Sequence, residues 1–373
     1  MSTNLLYTVV EEDLRASVRD LLTDRCKPAE LITRSESDQP VDLRLWRTLA
    51  ADLGVTSLSV PETLGGHGAS AREIAVVMEE LGRSVAPVPF LGSAVLATSA
   101  LLGCEPSDEV AELLKALAGG DATAAFVVPF SVSVAGAHVP TVHADGAVLT
   151  GDVRTVADAL TADLLIVPAV GVDGLELHAV RVADGAVAVS PVVSLDQTRP
   201  IADISLDRAT STLLASRERA ESAVHAALLT GAGLLASEQV GIAEWCLDTT
   251  VGYVKQRYQF GRPVGSFQAV KHRLADLWQE IALARAVARY AADTLATNGD
   301  DARIAVSVAQ SLCATVAVHA AEECVQLHGG IGMTWEHPAH LYLKRAKADQ
   351  IALGTPGRHR ALLASLIDLP PAS

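Results

Sequence analysis

The hydrophobic period of this chain changes from helical to strand-like and back, and that change constrains its fold more than any other feature. Residues 1–120 carry charged-and-apolar segments at helical spacing: Glu11–Thr23, Asp42–Leu53, Ser70–Arg83 and Asp108–Leu117. Ser70 followed by Glu73 predicts a capping box at the third of these. Residues 121–213 turn to short Val-rich runs. Asp145-Gly146 and Asp184-Gly185 lie between such runs and predict β-hairpins. Leu175, Leu177 and Ala179, alternating with Glu176 and His178, predict a half-buried strand. Residues 214–373 return to helical stripes, Ile242, Trp245, Cys246, Thr249 and Tyr253 in one, Val308, Leu312, Val316 and Ala320 in another. The expected class is α+β: an N-terminal helical domain over 1–120, a central antiparallel β domain over 121–213, and a helical bundle over 214–373.

Composition narrows the function. A formal charge of −15 argues against an electrostatic hold on nucleic acid or anionic lipid. Five cysteines, odd in number and without C-x-x-C, predict neither a disulfide framework nor a zinc knuckle, and make a reducing cytoplasm the expected location. No signal peptide is visible before Glu11, Glu12 and Asp13. Val85–Cys104 and Ala122–Ala144 lack Asp, Glu, Lys and Arg for about the length of a membrane span. Pro87, Pro89 and Gly92 interrupt the first, Pro129 and Pro140 the second, so both read as buried protein and no membrane insertion is expected. The histidines lack metal-ligand spacing, and no nucleophile elbow is present.

Two segments of the last region carry chemistry. Arg257-Tyr258-Gln259-Phe260-Gly261-Arg262-Pro263 runs on to Phe267-Gln268, placing a cation, aromatics and an amide at a helix break. Such a set neutralises a phosphate, covers a flat ring and bonds a heterocycle. Gln326-Leu327-His328-Gly329-Gly330-Ile331-Gly332 follows a helix with a glycine turn whose backbone lets a phosphate approach. Either turn alone reads as an ordinary helix end.

Together they resemble the acyl-CoA dehydrogenase family, with its R-x-x-F-G-x-x-[IV]-x-x-F-Q and Q-x-x-G-G-x-G. Pro61-Glu62, Gly65-Gly66, Glu79-Glu80-Leu81-Gly82-Arg83, Asp196, Thr198, Arg199 and Asp207 extend the resemblance over nearly the whole chain. It implies the family's fold, with a C-terminal four-helix bundle, and an FAD held between one subunit's β domain and helices and completed by a neighbour. By resemblance Arg257 meets the pyrophosphate, Phe260 and Gln268 pack and bond around the cofactor, and Gln326, Leu327, His328, Gly329 and Gly330 surround its adenosine end.

The elements a subunit needs for its own flavin differ. Where the family has T-E-P-x-A-G-S-D, this chain has Val127-Val128-Pro129-Phe130-Ser131-Val132-Ser133-Val134, and its W-[IV]-T falls near Thr155-Val156-Ala157. The reaction needs a carboxylate to take the proton α to the thioester. One family position for that Glu is occupied by Leu353, before Gly354-Thr355, and the other by Gly231, beside Ala232. No catalytic residue is therefore expected here.

This asymmetry resembles the non-catalytic subunit of an actinobacterial α2β2 acyl-CoA dehydrogenase acting on fatty or steroid side chains. Its expected partners are a second acyl-CoA dehydrogenase-like subunit that shares the FAD, an acyl-CoA on that subunit's side, and an electron-transfer flavoprotein. The alternatives are a self-sufficient homomeric dehydrogenase with an atypical base, Glu238 or Glu244, and a non-redox scaffold on the same fold.

Overall fold

The computed structural model describes residues 5–136, 139–297, 299 and 301–370. Six helices come first: α1 (Val9–Arg25), α2 (Pro28–Ser35), α3 (Leu43–Leu53), α4 (Ala71–Arg83), α5 (Thr98–Gly103) and α6 (Asp108–Ala118). The capping box at α4 forms as expected, the Glu73 carboxylate accepting from the Ser70 N–H at 2.9 Å. Thr8 and Glu11 build a second one at α1. The uncharged stretch after Val85 contains a buried π-helical segment, Phe90–Ala97, that runs into α5.

Eight strands follow: β1 (Ala124–Phe126), β2 (His143–Asp145), β3 (Val148–Ala157), β4 (Leu164–Gly171), β5 (Gly174–Arg181), β6 (Val187–Val192), β7 (Ile201–Thr210) and β8 (Thr212–Ser216). They form one sheet in the order β6-β7-β3-β2-β4-β5-β8, with β1 beside β4. Asp145-Gly146 does close the β2–β3 hairpin. Asp184-Gly185 corrects the expectation: it is a turn, but β5 pairs with β4 and β8 and β6 pairs with β7, so no hairpin forms there. The sheet is also mixed rather than wholly antiparallel, because β1 and β2 both run parallel to β4. A turn signal specifies a local reversal, whereas strand partners are chosen by long-range packing.

β4 is buried along Leu164–Ala169 because it separates two cores. Leu164 and Ile166 join the core shared with the helices, and Leu165, Val167 and Ala169 join a second one on the far face with Leu149 and Ile204. His178 departs from the half-buried pattern expected of β5. It is fully buried, its two ring nitrogens bonded to Ser211 Oγ at 3.0 Å and to the Glu176 carboxylate at 2.9 Å.

The 40-residue α7 (Arg217–Gln256) runs through the centre of the molecule. After the short hairpin β9 (Tyr258–Gln259) and β10 (Arg262–Pro263) come α8 (Gln268–Ala296), α9 (Ala302–His328), α10 (Ala339–Ile351) and α11 (Pro356–Leu366). α7, α8 and α9 pack side by side, with α10 and α11 against α9. Two helical segments, 217–256 and 302–333, are long and apolar enough to span a bilayer, yet 83% and 67% of their apolar windows are buried within the protein. α4 meets α7 backbone to backbone: a Cβ on Gly241 would overlap the Glu79 carbonyl, and one on Gly82 the Glu238 carbonyl. Only glycine permits that approach.

Candidate cofactor half-sites

The two motif segments sit at neighbouring helix ends. α7 stops at Arg257, whose N–H donates to Tyr253 O at 2.9 Å, and the chain reverses through the β9–β10 hairpin. Phe260 and Gly261 occupy the reversal with φ of 53° and 76°. Phe260 is 90% exposed, and Arg262 lies over the Phe267 ring at 3.9 Å. Arg257 and Gln268 are exposed, and among the described residues the Arg257 guanidinium has no partner. At the end of α9, Gln326, Gly329 and Gly330 are exposed and Leu327 is half-buried. A Cβ on Gly261, Gly329 or Gly330 would meet nothing within 4 Å.

An unpaired guanidinium, an uncovered aromatic ring and open glycine backbone form a surface with polar and stacking capacity to spare. These residues fit FAD: Arg257 for its phosphates, Phe260 for a ring, and the amide side chains and glycine backbone for its polar edges. His328 differs from the others. It is 2% exposed, and its ring packs on Tyr253 inside the protein.

The second half-site is where this chain would hold a flavin of its own, and here its three segments do converge. Leu353 N donates to Phe130 O at 2.9 Å, and Phe130 N donates to Thr155 O at 2.9 Å. Leu353 and Thr155 both take left-handed backbone, φ 52° and 57°, which non-glycine residues rarely adopt. Asp203 accepts from Thr155 N at 2.9 Å and holds the second of these turns.

The two positions where the resemblance places a base also meet. A Cβ on Gly231 would stand 3.1 Å from Leu353 Cδ1 and would overlap Leu96 Cδ2. Leu96 and Leu353 are 3% and 0% exposed. The space beside Gly231, where the resemblance places a carboxylate, is thus occupied by two leucines. Val156, near the expected flavin-facing position, is buried too. This half does not fit a bound flavin.

Neither nearby cavity reaches that point. One of about 490 Å³ is lined by Ser133, Arg358 and Leu362, and one of about 270 Å³ by Val134, Val224 and Leu228. A cavity of about 790 Å³ lies elsewhere, between α2–α3 and Leu160 and Pro191.

The carboxylates weighed as atypical bases are both engaged. Glu238 is 1% exposed and accepts from Arg199 at 2.5 and 2.7 Å and from Arg345 at 2.6 Å. Burial alone would raise its pKa, but the two guanidiniums, Arg199 foremost, hold it below the usual carboxylate range. Glu244 accepts from Arg285 Nε at 2.7 Å, with Arg15 and Arg83 each 3.7 Å away. Glu238, held between two buried guanidiniums, is thus engaged as a structural ion-pair partner, and Glu244 is paired with Arg285.

Comparison with known proteins decides the family. The model of the acyl-CoA dehydrogenase N-terminal domain matches residues 8–121, and that of the C-terminal domain matches residues 222–367. The chain belongs to the acyl-CoA dehydrogenase family. It is accordingly of the FAD-using oxidoreductase class. Acyl-CoA dehydrogenase IpdE2 of Mycobacterium tuberculosis is 38% identical over 92% of both chains. FadE34 of the same organism is 36% identical over 84% of this chain, which matches 41% of FadE34. The ChsE4–ChsE5 complex from M. tuberculosis superposes with a TM-score of 0.87 at 28% identity, covering 99% of this chain and 100% of that one. A chain of the steroid acyl-CoA dehydrogenase Tcur3481–Tcur3483 superposes with a TM-score of 0.86 at 29% identity, covering 96% and 97%.

Leu353→Glu tests whether the filled half-site is a latent active centre. An unpaired carboxyl there is expected to cost about 2–4 kcal/mol at pH 7 and to give no acyl-CoA oxidation. Burial raises the introduced group's folded pKa, so the penalty shrinks as pH falls toward 5. Urea unfolding at both pH values measures it.

Proposed function

We propose that this chain is the accessory subunit of a heteromeric acyl-CoA dehydrogenase, completing the FAD site of a catalytic partner. The observation that carries the reading is the contrast between its half-sites: one open and unpartnered, the other filled by Leu96 and Leu353. The heteromeric complexes among its structural relatives support a second acyl-CoA dehydrogenase-like subunit as the partner. The steroid dehydrogenase among them supports a bulky acyl-CoA, such as a steroid side-chain thioester, as the substrate.

On this reading the open half-site would help hold FAD, which would supply a hydride acceptor for the β carbon. Arg257 neutralises phosphate charge, Phe260 excludes water from one edge of the cofactor, and Gln268, Gln326 and the Gly329-Gly330 backbone orient it. The partner supplies the base and the thioester pocket, and an electron-transfer flavoprotein takes the electrons onward. A cytoplasmic setting belongs to the same reading, in keeping with five free cysteines.

The chain purified alone is expected to be colourless and inactive toward acyl-CoA thioesters. Absorbance near the flavin bands and dye-coupled oxidation assays check this, and a yellow, active product refutes the proposal.

A further inference from the structure

His328 stands within the glycine-turn motif, yet its side chain faces away from the open surface. Its Nδ1–H donates to Cys324 O at 2.7 Å, which fixes the plane of the ring. One face stacks on Tyr253 with ring centroids 4.4 Å apart and 26° between planes. His337, beyond the turn, lies 4.3 Å away. Nε2 is buried without a hydrogen-bond partner among the described residues, and Nδ1 also lies 3.6 Å from Cys324 Sγ, so the ring is held by these packed faces and by Cys324.

The neighbours matter because of what they hold. Tyr253 is the last-turn residue of α7 whose carbonyl receives the Arg257 N–H. Arg257 O in turn accepts from Val264 N at 2.7 Å, closing the base of the β9–β10 hairpin. His337 Nδ1 accepts from Ala339 N at 3.2 Å and caps the segment that leaves the turn. Gly332 folds back over α9, where a Cβ would overlap Val325 O and stand 3.0 Å from His328 Cβ. The His328 ring is therefore wedged between the root of the Arg257 hairpin and both limbs of the Gly329-Gly330 turn.

We infer that His328 is a positioning residue: through its stack on Tyr253 it sets the spacing between the Arg257–Gln268 and Gln326–Gly330 segments. The inference rests on the reading of those segments as cofactor-facing. A flat ring is the requirement. Without it, the two helix ends move independently and the cofactor must pay the cost of ordering them.

The test uses His328→Ala, His328→Phe and Tyr253→Leu in the full chain, alone and co-expressed with its partner. Amide hydrogen exchange of the chain alone is expected to rise at least about tenfold in 257–267 for the Ala and Leu variants, although His328 lies on another helix. In the complex their FAD dissociation constants rise about fivefold to tenfold, and the Phe variant stays within about twofold of wild type. Unchanged exchange in the hairpin overturns the inference. So does raised exchange with unchanged FAD affinity, or a Phe variant as weak as the Ala variant. A wild-type complex without flavin would refute the accessory-subunit reading instead, and the exchange measurement would still decide the role of His328.

Discussion

Arg257→Ala in the co-expressed complex is expected to weaken FAD binding about 10- to 100-fold while leaving the chain as stable as wild type. A charge-assisted bond from guanidinium to phosphate contributes about 1.5–3 kcal/mol, which sets the range. Stability is spared because Arg257 is exposed and its guanidinium has no partner to lose among the described residues. Arg257→Lys should fall between the two, since an ammonium keeps the charge but not the fork. Flavin fluorescence titration, with thermal melts of the flavin-free proteins, separates binding from folding. An unchanged affinity would mean that the open half-site does not face the cofactor.

Arg345→Met has the largest expected effect on folding. The Arg345 guanidinium is 1% exposed and donates to Asp196 at 2.6 Å, to Glu238 at 2.6 Å and to Thr198 at 2.7 Å. Arg199 donates to Asp349 at 2.8 Å, completing a clasp between the β6–β7 loop, α7 and α10. Removing one guanidinium leaves buried carboxylates undercompensated, at a cost of about 3–5 kcal/mol. That is a large share of the roughly 5–15 kcal/mol available to a folded domain. In wild type the depressed Glu238 pKa stabilises above the unfolded carboxylate value and is lost as pH falls through the folded one. In the variant burial dominates, the remaining carboxylates shift upward, and the deficit narrows as pH is lowered from 7 toward 5. Denaturant melts at the two pH values would show it, and a variant within about 1 kcal/mol of wild type at pH 7 would contradict the clasp.

These results bear on what a sequence discloses. The helical periods, the Ser70–Glu73 capping box and the Asp145-Gly146 hairpin were legible because each is a local agreement between residue chemistry and backbone. The parallel seating of β1 on β4 was not, since its partner is forty residues away and is selected by packing. Glu238 illustrates the same limit. Its place on α7 was readable, but the arginines that engage it come from Arg199 and Arg345, distant in the chain. At the candidate sites, Gly231 and Leu353, where the resemblance places a carboxylate, were visible as residue types. That the two positions meet, and that Leu96 from the π-helical segment fills the space between them, required the fold. His328 was legible as part of a motif, while its inward orientation depends on Tyr253, a core-stripe residue with no motif of its own.

The most direct test of the accessory-subunit account is the flavin-to-chain ratio. Co-expressed with its partner and purified as a complex, the pair is predicted to hold one FAD for every two chains, all of it lost when the chains are separated. One FAD for every chain, or a flavin retained by this chain alone, would contradict it.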